Sequence, residues 1–128
     1  MLIVKTPKPT AMRSAITTAI DNTEIDTWSY VKLPNSVVRF DWEGGVNNWP
    51  NLDEQVYFTA TVHYPKDEEN YLQFALHTKR GHCLEDSDYA RMHSELMYML
   101  LSHIAQTYTE CITLPADKPH HKVDIIDD

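Results

Sequence analysis

"VYFTATVHYPKDEENYLQFALHT", residues 56–78, decides the architecture of this chain. Both arms alternate apolar and polar residues with a period of two, the pattern of strands that bury one face. In the first arm Val56, Phe58, Ala60 and Val62 share a face, and Tyr57, Thr59, Thr61 and His63 share the other. In the second, Leu72, Phe74 and Leu76 oppose Tyr71, Gln73, Ala75 and His77. "PKDEEN" between them is a charged turn. Matching the apolar faces pairs Val62 with Phe74 and sets Thr59 opposite His77.

Upstream, "TWSYVKL" and "VVRFDW" alternate in the same way around the turn residues "PNS". Val38, Phe40 and Trp42 point one way, Arg39 and Asp41 the other. Further upstream "KPTAMRSAITTAID" reads as a helix, with Pro9 or Thr10 in its first turn, an apolar stripe of Met12, Ile16, Ala19 and Ile20, and a stop at Asn22. Downstream, residues 87–108 form a second helix whose stripe is Tyr89, Met92, Leu96, Leu100 and Ile104, with Arg91, Glu95 and Tyr98 opposite. "ECITLP" is a short extended piece and "ADKPHHKVDIIDD" a polar tail.

The order α-β-β-β-β-α predicts an α+β two-layer sandwich. Its four-stranded antiparallel sheet carries the N-terminal and C-terminal helices packed on one face, and the other face is exposed or used for binding. Residues 1–115 make a single α+β domain and 116–128 a polar, acidic C-terminal tail. A chain of 128 residues, 42% hydrophobic, can build this core without a disulfide or a metal.

Charge narrows the function classes. The chain carries −8 overall, yet residues 1–39 hold five basic and three acidic groups while residues 40–128 hold six and sixteen. Such a surface repels phosphate backbones, so nucleic acid is not the expected partner. A basic protein would be steered towards it. No apolar stretch is long enough for a signal peptide or a membrane span, and two cysteines are too few for a secreted disulfide framework. The expected compartment is the cytoplasm, and the expected state is a monomer or homodimer.

The motifs that would carry catalysis fail one by one. "GHCLEDSDYARMH", residues 81–93, is dense in histidine, cysteine and carboxylates. Gly81 in a turn, Asp86 before the helix and Ser87 and Asp88 in its first turn account for it as turn and cap. His93 and His103 are core or core-edge residues about 15 Å apart along the helix, too far to share a metal. His63 and His77 point outward from neighbouring strands, roughly 13 Å apart, again no metal pair. "HSE" at 93–95 echoes the His-x-Glu of zinc deaminases but lacks the Pro-Cys-x-x-Cys downstream. His120 and His121 allow weak adventitious metal binding at most. Three glycines exclude a phosphate loop or dinucleotide fingerprint, no serine sits in Gly-x-Ser-x-Gly, and Cys83 beside His82 is poorly placed as a nucleophile. No catalytic residue, cofactor or metal is expected.

One loop remains, "DWEGGVNNWPNLDE", residues 41–54. Trp49 there is either a lid over the core or an interface anchor, and Asp41, Glu43, Asp53 and Glu54 would ring such an anchor with negative charge. These five residues are the candidate partner-binding site. The leading expectation is a non-enzymatic acidic inhibitor of a basic protein, most concretely a bacterial immunity protein (antitoxin) neutralising a nuclease-type toxin. The alternatives are a dimeric acidic chaperone for a secreted protein, using the outer face with Tyr57, Tyr71 and Ala75, and an enzyme of unfamiliar type built on His93 or His77.

Overall fold

The two alternating arms form β4 (Val56–His63) and β5 (Tyr71–Thr78), paired antiparallel. They are the centre of a sheet in a computed structural model that describes residues 1–43, 56–78, 85–104, 108, 110–113 and 126–127. The remaining elements, in chain order, are β1 (Leu2–Lys5), α1 (Pro9–Asp21), β2 (Trp28–Leu33), β3 (Val37–Trp42), α2 (Asp86–His103), β6 (Glu110–Thr113) and β7 (Ile126–Asp127). The strand order is β2-β3-β4-β5-β1-β6, antiparallel throughout. The two-residue β7 adds to β5 in parallel, opposite His77 and Thr78.

The fold is α+β with an antiparallel sheet and two helices, but the sheet has six strands on its main path where four were expected. The added strands are β1 and β6. "LIVK" is only four residues long, too short to show a period, yet β1 lies between β5 and β6 and fully buries Leu2 and Val4. Its second partner, β6, falls within the short extended piece anticipated at "ECITLP".

The core is one apolar cluster. It joins Met12, Ile16 and Ala19 of α1 and Met92, Leu96, Met99 and Leu100 of α2 to the inward residues of β1 to β5. At its centre Phe40, Phe58 and Phe74 sit on three adjacent strands, with Phe40–Phe74 ring centroids 6.0 Å apart and Phe58–Phe74 6.5 Å apart and edge-on. Such tilted and perpendicular pairs favour the ring quadrupoles and fix the rings laterally.

Three local expectations need correction. The β4–β5 register is Ala60↔Phe74 and Val62↔Leu72, two residues from the pairing of Val62 with Phe74. A two-residue slip keeps every side chain on its face, so the apolar pattern alone could not exclude it. α2 ends at His103, where Ile104 already leaves helical geometry at φ −125°, and His103 is exposed rather than core-edge. The N-cap of α2 is Glu85, with no side-chain capping hydrogen bond, so Asp86 and Asp88 act in the first turn through the helix dipole.

Leu100 is fully buried and its neighbour Leu101 is 60% exposed, which makes them a matched test of the packing. Leu100→Ala should cost about 2–5 kcal/mol in urea unfolding, and Leu101→Ala no more than about 0.5 kcal/mol. Equal losses would mean that the helix presents a different face to the core.

Candidate functional site

The same alternation that buries Phe40, Phe58 and Phe74 sends Arg39, Tyr57 and His77 to the opposite face of the sheet. There they interlock across three strands. Arg39 Nε and Nη2 donate to the two carboxylate oxygens of Asp41, each at 2.9 Å. The guanidinium also lies over the Tyr57 ring, 3.8 Å from its centroid. Tyr57 in turn stacks on its cross-strand partner His77, with centroids 4.8 Å apart and planes only 2° from parallel. His77 Nε2 hydrogen-bonds Thr59 Oγ1 at 2.8 Å. Neighbouring strands lie about 4.8 Å apart, so this row spans roughly 10 Å of surface.

A second, shorter group stands towards the other end of the same two strands. His63 stacks on Tyr71 at 4.6 Å and its Nε2 bonds Thr61 Oγ1 at 3.0 Å. In the observed register His63 faces Tyr71, six positions from His77 along β5, or about 20 Å. The two histidines cannot share an ion. Among the described residues no three His, Cys, Asp or Glu side chains are grouped to hold a metal.

The sequence candidates divide. Asp41 and Glu43 lie at the end of β3 from which the 44–55 segment departs. Asp41 is clamped by Arg39, and Glu43 accepts a hydrogen bond from Ser29 Oγ at 2.7 Å. Trp49, Asp53 and Glu54 lie outside the described residues, as do Gly81, His82 and Cys83. Sequence reasoning missed the Arg39–Tyr57–His77–Thr59 row itself. Part of its signal was present: Arg39 and Asp41 are two apart on one strand and therefore share a face, and the outward face of β4 and β5 carries Tyr57, His63, Tyr71 and His77, which the observed register pairs as Tyr57 with His77 and His63 with Tyr71.

His93, one of the two histidines weighed for catalysis, is buried in the core, edge-on to Phe58 with centroids 5.1 Å apart. Its Nδ1 lies 2.9 Å from the Tyr89 carbonyl oxygen, which can only accept, so Nδ1 carries the proton. Nε2 then accepts from the Met1 amino group at 2.9 Å, and that amine also meets the Tyr89 hydroxyl. Nδ1 thus bonds within α2, and Nε2 ties the residue that leads into β1 to that helix. Cys111, half-buried on β6 opposite Val4, has its thiol pushed up to about 11 by burial.

Comparison with family models, with curated proteins and with solved structures found no match for this chain. No helix among the described residues is long and apolar enough to cross a membrane.

Because the thiolate is the reactive form, Cys111 should be sluggish at ordinary pH. In a Cys83→Ser variant at pH 8, its reaction with a disulfide reagent should be on the order of a hundredfold slower than that of free cysteine, and should accelerate as pH rises towards the thiol's pKa. A rate equal to that of free cysteine at pH 8 would show an exposed, unperturbed thiol.

Proposed function

We propose that this protein is a non-catalytic binding protein whose open sheet face receives a basic protein partner, most concretely as an immunity protein neutralising a basic, nuclease-type toxin. The observation that carries this reading is the Asp41–Arg39–Tyr57–His77 row. Its side chains are held in place before any ligand arrives, and they lie side by side across strands rather than converging on one reacting point. Fixing aromatic and guanidinium side chains in advance lowers the entropy cost of association. Tyr and Arg are also the residue types most often found at interface hot spots. Asp41 and Glu43 at the edge of the row give it acidic flanks, in keeping with the excess of ten negative charges over residues 40–128.

The engagement of both His93 nitrogens within the core and the stacking of His77 favour binding over the enzymatic reading. The chaperone alternative draws on a different feature. Val31 and Leu33 on the edge strand β2 are 53% and 36% exposed and share the outer face with Arg39, which would suit a second copy. Tyr57 and Tyr71, expected to serve that contact, are instead stacked on histidines.

The test begins with capture of a partner from the source cell and its identification by mass spectrometry, followed by binding kinetics at two salt concentrations. Neutralising Asp41, Glu43, Asp53 and Glu54 together should slow association about tenfold at low salt and flatten its salt dependence. Arg39 already compensates Asp41, so Glu43, Asp53 and Glu54 should account for most of the effect. Trp49→Ala and Tyr57→Ala should instead speed dissociation, each at a cost of about 2 kcal/mol or more. Capture of an acidic partner, or unchanged kinetics in the fourfold variant, would overturn the reading.

A further inference from the structure

The end of the sheet opposite the 44–55 segment holds a feature of opposite charge. Between α1 and the β2–β3 hairpin lies a cavity of about 260 Å³ whose lining includes Arg13, Ser14 and Thr17 from the helix and Lys32, Ser36 and Val38 from the hairpin. Two cations and three hydroxyls line it, and no carboxylate does. In a chain of net charge −8, this lining comes wholly from residues 1–39, the stretch that holds five basic and three acidic groups.

The geometry of Arg13 gives the cavity its character. Nη1 donates to the carbonyl of Ser36 at 2.7 Å and to that of Ala60 at 2.8 Å, which uses both of its hydrogens. A guanidinium has five N–H donors. The three on Nε and Nη2 have no acceptor among the described residues, and no carboxylate there pairs with the charge. The guanidinium's pKa is lowered, by desolvation first, with the nearby Tyr64 opposing that shift. A partly desolvated cation without a counter-charge is stabilised by any anion that reaches it.

The surroundings supply further donors. Lys32 pairs with Val38 across the β2–β3 ladder and, like Trp28 and Tyr30, belongs to the helix side of the sheet, which directs its ammonium to the cavity. Thr17 Oγ1 is spent on the Ser14 carbonyl at 3.0 Å, whereas the hydroxyls of Ser14 and Ser36 bond no described residue. The turn beneath is held in a costly form. Asn35 and Ser36 both have positive φ, 63° and 61°, the left-handed region that serine seldom enters. Arg13 clamps the carbonyl of that same Ser36. Backbone strain of this kind persists where surrounding structure enforces it, often at ligand sites.

We propose that this cavity is a binding site for a phosphate monoester, with Arg13 and Lys32 holding the phosphate and Ser14 and Ser36 donating to its oxygens. A guanidinium presents parallel N–H bonds that match phosphate oxygens, and an ammonium and two hydroxyls complete a donor set suited to a tetrahedral oxyanion. The volume exceeds the ~30 Å³ share of one water many times over, so it accepts the esterified group as well as the phosphate. The site is separate from the open-face row, and it stands or falls independently of the partner proposed above.

Amide chemical shifts of the full chain, followed during titration with phenyl phosphate, inorganic phosphate and sodium chloride at matched ionic strength, test the site. Phenyl phosphate should give saturable shifts confined to residues 13–17 and 32–38, and should bind several-fold more tightly than inorganic phosphate. Arg13→Gln should weaken binding by about tenfold or more. Because Arg13 also holds the hairpin turn, Lys32→Gln provides a second variant that leaves the turn's hydrogen bonds intact and should weaken binding by about threefold to tenfold. Equal affinity for the two phosphates would overturn the ester assignment in favour of free phosphate. Shifts reproduced by sodium chloride, an absence of saturation, or unchanged affinity in Lys32→Gln would overturn the site.

Discussion

The fold turns on the packing of three phenylalanines, Phe40, Phe58 and Phe74, on the three central strands. Once these rings meet on one side, the pleat leaves no choice for their neighbours, because side chains on a strand alternate strictly between faces. Arg39, Tyr57, Ala75 and His77 must stand on the other side. The buried cluster and the outward row are therefore consequences of a single parity. A one-residue slip would expose a phenylalanine and bury Arg39 in β3, Tyr57 in β4 or Gln73 in β5, an exchange worth several kcal/mol of lost apolar burial and desolvated polar groups.

Within that frame the molecule has two ends of different electrostatic character. Where β3 runs out towards the 44–55 segment, Glu43 is exposed and Asp41 is half-buried beside Arg39. At the β2–β3 hairpin, Arg13 and Lys32 gather around hydroxyls. Lys32 has a further effect on the open edge of the sheet. A lysine on the inner face of an edge strand, with Pro34 just past the strand's end, discourages another chain from adding to that edge. Charge segregation of this sort allows a small domain to engage ligands of opposite sign without one contact screening the other, given a Debye length of about 8 Å at physiological salt.

Much of this was legible in the sequence. The four strands β2 to β5, both helices and the inward residues of each follow from periodicity, since Val38, Phe40, Trp42, Met12, Ile16, Leu96 and Leu100 repeat at the spacing their element requires. What escaped has physical causes. β1 is four residues of local pattern whose meaning lies in partners some seventy and one hundred positions away. The β4–β5 register depends on how the "PKDEEN" turn closes, and the apolar pattern is blind to a shift of two. The candidate carboxylates were visible as charges, but that Asp41 would be taken by Arg39 depends on the ring of Tyr57 holding the guanidinium at that height. The basic cavity was hidden because its residues come from a helix and a hairpin separated by nearly twenty positions.

The position of β1 also sets an order of events during synthesis. Lys5 is made well before its partners, Tyr71 on one side and Glu110 on the other. With 105 positions between Lys5 and Glu110 and elongation at roughly 5–20 residues per second, the first strand waits some seconds, up to about 20, before its second neighbour exists. Once β5 has been made, the β2–β5 sheet can assemble, and the flank of β5 that β1 will occupy stays an open edge until β1 pairs with it. That flank is the seam at which the nascent chain is most exposed to pairing with the wrong strand, and the rate at which "LIVK" returns to it governs how long the seam stays open.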